Sequence, residues 1–447
     1  MGAESLEAAI GRAGSAVALL RNSAVRPHTF PVAPEFTNWR SEQQAWRTSC
    51  ALLDQSHHMT DLYLSGPDAL KLLTAYGVNS FADFGPGKAK QYVAVNAEGY
   101  FIGDAILFHL SGGNFDLVGH PTVLDWLQYQ AETGGYDVTL ERDDNSAERA
   151  SGPPKVYRYE LQGPNAKALV EELTGEPLPG VKFFHTIEFT IAGHRVRALR
   201  HGMAAQPGFE LFGPWAEGEK VLRGILEAGE RFGLVRAGAK AYSTANLESG
   251  WIPAVVPAVF GPAERGYREW LPAGALGSLG GSFDPADITD YYFTPYELGY
   301  GKTVRFDHEF TGRAALQRME PSREKVTLVW HAEDVAAAVR ALCEPGLPAK
   351  YIDLPKARYA FYQADKVLAG DRLAGVSTDV GYLTNAHAFV SLAVVDKAVS
   401  EPGSQVTVVW GEEPNSAKPA IEPHRQVRIR ATVAPVPFAA HESYRKP

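Results

Sequence analysis

Cysteine is almost absent: Cys50 and Cys343 are the only two in 447 residues, far apart and in unlike surroundings. That excludes a disulfide scaffold or a cysteine-rich zinc site, and makes a reducing cytoplasm the expected compartment. No run of about 18 apolar residues occurs, so no membrane span is expected. Positive charge is not in excess either. A net charge of −9 argues against nucleic acid as the main partner, yet leaves room for a small anion at one local basic or helix-N-terminal site. Several catalytic motifs also fail. Gly301-Lys302-Thr303 ends like a phosphate-binding loop, but Tyr296 stands where that loop needs glycine. Leu276–Gly281 is glycine-rich without matching a dinucleotide fingerprint, and no G-x-S-x-G elbow occurs. His57-His58, read as neighbours in a strand, would point to opposite faces, with no third ligand at metal-binding spacing; no metal site is expected.

What is present reads as an ordinary soluble protein, 45% apolar and 21% charged, and too long for one compact core. Met1–Asn22 carries Leu6, Ile10, Val17 and Leu20 on one helical face, interrupted by Glu7 and Arg12, which is not a secretory signal. An internal repeat organises the first half. Asp61–Gly77 (D-L-Y-L-S-G-P-D-A-L-K-L-L-T-A-Y-G) and Tyr159–Gly175 (Y-E-L-Q-G-P-N-A-K-A-L-V-E-E-L-T-G) each spell strand, Gly-Pro turn and glycine-terminated helix. The copies stand too far apart for a solenoid and imply two related α+β lobes across a shared cleft. Between them, Gln91–Val95, Tyr100–Leu110 and Phe115–Val118 read as an antiparallel meander, followed by a helix over Pro121–Glu132. Strands near His194–Arg200 and Phe209–Phe212 and a helix over Ala216–Phe232 complete the core. From Glu324 onward, β-branched runs at Lys325–Trp330, Phe389–Val395, Gln405–Trp410 and Gln426–Val433 imply a separate β domain. The expected division is therefore 1–323 and 324–447, with a loosely packed tail at Ala434–Pro447.

Tyr242–Pro253, Y-S-T-A-N-L-E-S-G-W-I-P, is the densest mixture of rings and polar groups in the chain. Phenol, amide, carboxylate and indole around a glycine suit a pocket for a flat heterocycle, although Tyr and Trp with one polar end are also ordinary half-buried core residues.

Further segments accompany it: Asp54–Met59 (D-Q-S-H-H-M), Asn96–Leu107 (N-A-E-G-Y-F-I-G-D-A-I-L), Gly208–Gly213 (G-F-E-L-F-G), Pro295–Gly301 (P-Y-E-L-G-Y-G) and Phe310–Leu316 (F-T-G-R-A-A-L). In this order, and with Ala33–Arg40, Arg200–Ala204 and Arg268–Pro272, the chain resembles the glycine-cleavage T-protein family of tetrahydrofolate-dependent methyl- and aminomethyl-transferases. Within it, the chain is most similar to the bacterial aromatic O-demethylases that act on vanillate and syringate. The resemblance implies an α+β fold of three lobes around a central channel, two of them duplicated folate-binding lobes and the third a C-terminal β-barrel. It implies a methyl transfer from a methoxy-aromatic to tetrahydrofolate, without metal, in a monomer or homodimer that needs neither nucleic acid nor membrane.

Residue by residue, Tyr242 matches the family's essential tyrosine. A phenol of unperturbed pKa about 10 is well matched to protonate a departing phenolate. Gln55 and His58 match positions lining the aromatic pocket, and Ser282 in G-G-S-F matches another. Glu210 matches the glutamate that accepts from the pterin, a bidentate pairing suited to a carboxylate. Trp251 is expected to border the folate rings, and Glu248 to hold its loop through backbone N–H groups. Asp104 falls where T-proteins carry an acidic pair, but Gly103 precedes it, which leaves acid–base and structural roles equally open. Two departures concern the substrate. His120 stands where vanillate-type relatives place a carboxylate-pairing arginine, and His28 and Phe30 replace tyrosines. A histidine pairs a carboxylate with weaker, pH-dependent charge, so a methoxyphenol lacking the carboxylate, or presenting it elsewhere, is also expected to fit. An aliphatic methyl or aminomethyl donor, and a non-catalytic folate-binding protein, remain as alternatives.

Overall fold

The protein's structure, a computed structural model, describes residues 4–412, 418 and 421–446; the first three residues of the N-terminal stretch and the last residue of the tail lie outside them. The first lobe is a five-stranded antiparallel sheet in the order Ala89–Val95, Phe101–Ser111, Asn114–Gly119, Thr60–Ser65, Thr139–Asp143. The expected meander forms its first three strands. The helix Pro121–Thr133 packs beside it, with proline at its first turn and His120 as N-cap. The second lobe has six strands in the order Leu234–Ala237, Cys50–Asp54, Val156–Gln162, Gly208–Pro214, His194–Arg200, Thr186–Ile191. Cys50–Asp54 thus joins the second lobe before the chain builds the first.

The repeat is structural. Thr60–Ser65 and Val156–Gln162 are each inner strands, each leading through Gly-Pro into a helix, Ala69–Tyr76 and Ala166–Thr174. Both turn glycines have positive φ, 116° at Gly66 and 134° at Gly163. A Cβ at either would lie 2.6 Å from a backbone oxygen, that of Asp137 or of Ser49. Glycine is therefore demanded twice by the same crossing of backbone segments.

The C-terminal region is a barrel. Arg372–Leu383, Asp365–Ala369, Gln405–Trp410, Val427–Ala434, Arg323–Trp330 and Ala388–Asp396 follow one another, and the last pairs back onto the first. Its interior holds Leu328, Val367, Val380, Val408 and Ile429, with Trp330 and Trp410 meeting edge to face at 5.5 Å. Two barrel strands, Asp365–Ala369 and Arg372–Leu383, were not among those expected, because Gly375, Ser377, Thr378, Asp379 and Gly381 interrupt the apolar alternation.

Three local expectations are corrected. The N-terminal stretch forms two helices, Leu6–Ala13 and Ala16–Arg21, each capped by its own serine, Ser5 and Ser15. His57 and His58 lie in a turn after Cys50–Asp54, not in a strand. The tail is anchored rather than loose: the His441 backbone N–H donates to Ala205 O (2.9 Å), and Tyr444 is buried.

Candidate functional site

The strand Val156–Gln162 alternates rings with polar groups, and both faces are buried. Tyr157, Tyr159 and Leu161 pack under the second lobe's helices, so Arg158, Glu160 and Gln162 point the other way, all within the protein. Glu210 stands directly opposite Glu160 on the neighbouring strand. Two carboxylates side by side in an apolar interior need positive partners. Arg158 Nη1 donates to Glu210 Oε1 at 3.1 Å, and its other Nη bonds Asp61 and lies 3.5 Å from Asp116. Burial raises the Glu210 carboxyl's pKa, with the Arg158 guanidinium pulling the other way. Asp116 is pushed up further, by burial and then by Asp61. Glu160 accepts the Met203 backbone N–H at 2.7 Å and the Gln55 amide, and lies 3.6 Å from His201 Nδ1.

Gln55 is held at the end of its strand by donating its N–H to Arg158 O (2.9 Å), and the turn that follows swings His58 back toward the core. His58 Nε2 and the Tyr242 hydroxyl are 2.8 Å apart. Burial, with Arg158 nearby, lowers the His58 pKa to about 4, so the imidazole is neutral at pH 7. Burial, with Glu160 and Glu210 behind it, raises the Tyr242 phenol well above its ordinary value. The contact is therefore a hydrogen bond between a protonated phenol and a neutral imidazole. Beyond it runs a wall of rings: His58 to Phe30 at 6.0 Å, Phe30 to His28 at 6.3 Å. His57 turns away, to Ser146 Oγ at 2.8 Å and the Trp215 ring.

His120 keeps accessible surface although protein surrounds it, so it faces an internal cleft, lined also by Asp104, Thr122, Val255 and Phe361. Trp251 reaches the same region. Its indole N–H donates to Asp104 Oδ2 at 3.0 Å, an oxygen that also accepts from the Tyr300 hydroxyl (2.7 Å) and the Gln91 amide. Asp104 thus orients Trp251 and Tyr300. Glu248 does hold its loop, but through side chains rather than backbone: Trp46 Nε1 (2.9 Å), Arg47 Nε and Nη2 (2.9 and 2.7 Å) and Asn385 Nδ2 (3.2 Å). Ser282 does not join the cluster. Its hydroxyl donates to Val409 O (2.6 Å) and accepts from the Lys366 N–H (2.9 Å), both backbone groups of the C-terminal barrel region.

The arrangement therefore has two chemical halves: a phenol–imidazole pair in an aromatic wall, and a buried carboxylate pair with basic support. A model for the GCVT N-terminal domain matches residues 12–254, more than half of the chain. The chain belongs to the glycine-cleavage T-protein family. It is an enzyme of the methyltransferase type found there. Syringate O-demethylase of a Sphingobium species is 44% identical, covering 98% of this chain and 96% of that one. Sesamin methylene transferase of a Sinomonas species is 31% identical over 85% and 84%. Among solved structures, the glycine cleavage system aminomethyltransferase T of Bartonella henselae superposes with a TM-score of 0.62, 18% identical, over 94% and 96%. That last likeness establishes the family fold, two α+β lobes and a barrel.

Sequence reasoning passed over Arg158, Glu160 and His201. The signal was present in V-Y-R-Y-E-L-Q, whose alternation puts only polar residues on one face of an inner strand. Polar residues there read as a solvent face until the topology covers it.

Proposed function

We propose that the protein is a tetrahydrofolate-dependent O-demethylase that moves a methyl group from a methoxy-aromatic to tetrahydrofolate. The observation that carries this reading is the Tyr242–His58 pair, a proton donor with a neutral partner at 2.8 Å, set in a wall of aromatic rings. Rings favour a flat aromatic substrate over an aliphatic donor. The similarity to a syringate O-demethylase supports the same class, since syringate is a phenol flanked by methoxy groups.

The residues around Glu210 fit a folate. Gln55 Oε1, Gln162 Nε2, His201 Nδ1 and Arg158 Nε are buried without a hydrogen-bond partner among the described residues, all on or beside the residues that hold the Glu160–Glu210 pair. Unpaired buried donors and acceptors are costly, and a heterocycle that offers both satisfies them. Glu210 would accept from the pterin, and Trp251, its ring plane fixed by Asp104, would border it. When bound, tetrahydrofolate supplies an amine, N5, that accepts the methyl group.

The protein's part is alignment and proton delivery. The methyl–oxygen bond breaks with its electron pair on oxygen, and Tyr242 gives that oxygen a proton. His58 keeps the hydroxyl aimed and, being neutral, does not compete as an acid. Glu160 holds Gln55, which borders the same hydroxyl. The net proton shift runs from the accepting amine to the departing oxygen.

The test is to incubate the protein with tetrahydrofolate and a panel of methoxyphenols and methoxybenzoates. 5-Methyltetrahydrofolate with the free phenol is expected. Methylenetetrahydrofolate instead would favour a methylene or aminomethyl donor, and no folate product from any member would defeat the reading.

A further inference from the structure

The C-terminal barrel brings a cation without an ion-pair partner among the described residues up beside the cleft, over Phe361. Arg358 follows the short strand Lys356–Ala357, which pairs with Arg372–Leu383. The carboxylate whose charge reaches it, Asp379, is bonded to Lys356 at 2.6 Å, and Arg358 itself has no salt bridge among the described residues. Nε donates to Ala360 O (3.2 Å) and Nη2 to Phe361 O. Nη1 makes no hydrogen bond among the described residues, yet it is not among the fully buried unpaired atoms, so it opens onto accessible space. A guanidinium withdrawn from water without a counter-charge is unfavourable, and an anion arriving there removes that cost.

The neighbours say where that space is. The guanidinium lies over the Phe361 ring, 5.1 Å from its centroid, and the His120 ring is 5.1 Å from Phe361 on the cleft. His120 Nδ1 lies 2.8 Å from Thr122 Oγ1 and 3.3 Å from the Thr122 backbone N–H; with Nδ1 accepting from both, the neutral ring carries its proton on Nε2, where it can donate. Burial, then Arg358 and His28, hold the His120 pKa at about 4, so Arg358 is the permanent charge of the group. His28 also begins the ring wall that ends at Tyr242. The ring wall that reaches Tyr242 is thus uncharged, and the cation stands beside Phe361 and His120, past its His28 end.

Resting on the reading of the site as an O-demethylase, we propose that Arg358, with the His120 Nε2–H, binds a carboxylate carried by the aromatic ring opposite its methoxy-phenol edge. Arg358 would make this a methoxybenzoate enzyme although position 120 holds no arginine.

The experiment compares wild type, Arg358→Gln and Arg358→Lys, full length, with tetrahydrofolate. The substrates are syringate and 2,6-dimethoxyphenol, which lacks the carboxylate. Arg358→Gln is expected to lower kcat/KM for syringate by roughly tenfold or more, chiefly through KM, as loss of a charge-assisted bond implies. The phenol should change by no more than about twofold, since it never meets the charge. Arg358→Lys should recover part of the loss. Equal losses on both substrates, or none on syringate, would overturn the assignment. If wild type turns over neither compound, the reading of the reaction fails, and syringate binding followed by tryptophan fluorescence decides on Arg358. Weaker binding by Arg358→Gln supports it, and unchanged binding refutes it. Unchanged far-UV circular dichroism confirms that the variants fold.

Discussion

At the scale of residues, the two halves of the site make opposite predictions. Tyr242→Phe keeps the ring and removes the proton donor, so turnover should fall by about a hundredfold or more while tetrahydrofolate binding persists. Glu210→Ala should weaken tetrahydrofolate binding by about tenfold or more, while Arg158 keeps Asp61 as an ion-pair partner. Titrating folate fluorescence and following 5-methyltetrahydrofolate in both variants separates the assignments. Near-normal turnover in Tyr242→Phe would remove it from the mechanism, and unchanged folate affinity in Glu210→Ala would do the same for Glu210. Much of this cluster was legible before any coordinates. Tyr242, His58, Gln55, Phe30 and His28 are far apart in the chain, and what singles them out is their match to positions of the family's motifs rather than any local pattern; the fold brings them together. Arg358 was not legible. Nothing around K-A-R-Y-A distinguishes a pocket cation from a solvated one until the barrel strand is seen to lean on the cleft.

At the scale of elements, legibility followed the chemistry of burial. The strand–Gly-Pro–helix units could be read because proline, glycine and apolar spacing all act locally. Arg372–Leu383 could not, because its glycines and hydroxyls answer to a neighbouring strand. Gly375, for one, faces Val394 O, which an added Cβ would approach to 2.4 Å. The duplicated turns allow a sharp stability test. Gly163→Ala meets both an unfavourable φ and the Ser49 carbonyl, and should cost about 2 kcal/mol or more. Gly224 sits inside the helix Gly218–Gly229, where an added Cβ finds its nearest contact at 3.5 Å. The same substitution there should stabilise by about 0.5–1 kcal/mol. Urea midpoints of the two variants should move in opposite directions. A Gly163→Ala protein as stable as wild type would mean that the turn is not the constraint described.

At the scale of the molecule, the change of architecture near residue 323 is not a seam in packing. One apolar core takes in Leu62 and Leu107 of the first lobe, Leu6 of the N-terminal helices and Val376, Leu392 and Val394 of the barrel. Leu279–Gly280 pairs with Tyr362–Gln363. Gln43 donates to Tyr382 O (3.0 Å) and accepts the Thr384 N–H (2.8 Å), while the Lys325 ammonium reaches Gly250 O (2.6 Å) at the end of the Tyr242 loop. Each of these groups is buried or nearly so, and parting the barrel from the lobes would strand them. Chains of this length commonly unfold in stages, domain by domain. Here the shared core argues for a single equilibrium transition in urea. Far-UV circular dichroism, which weighs all three sheets, and tryptophan fluorescence, which reports Trp46 in the lobes and Trp330 and Trp410 in the barrel, should give the same midpoint. Separate midpoints would show that the barrel and the lobes hold together independently of each other, and that the shared core does not make them one unit.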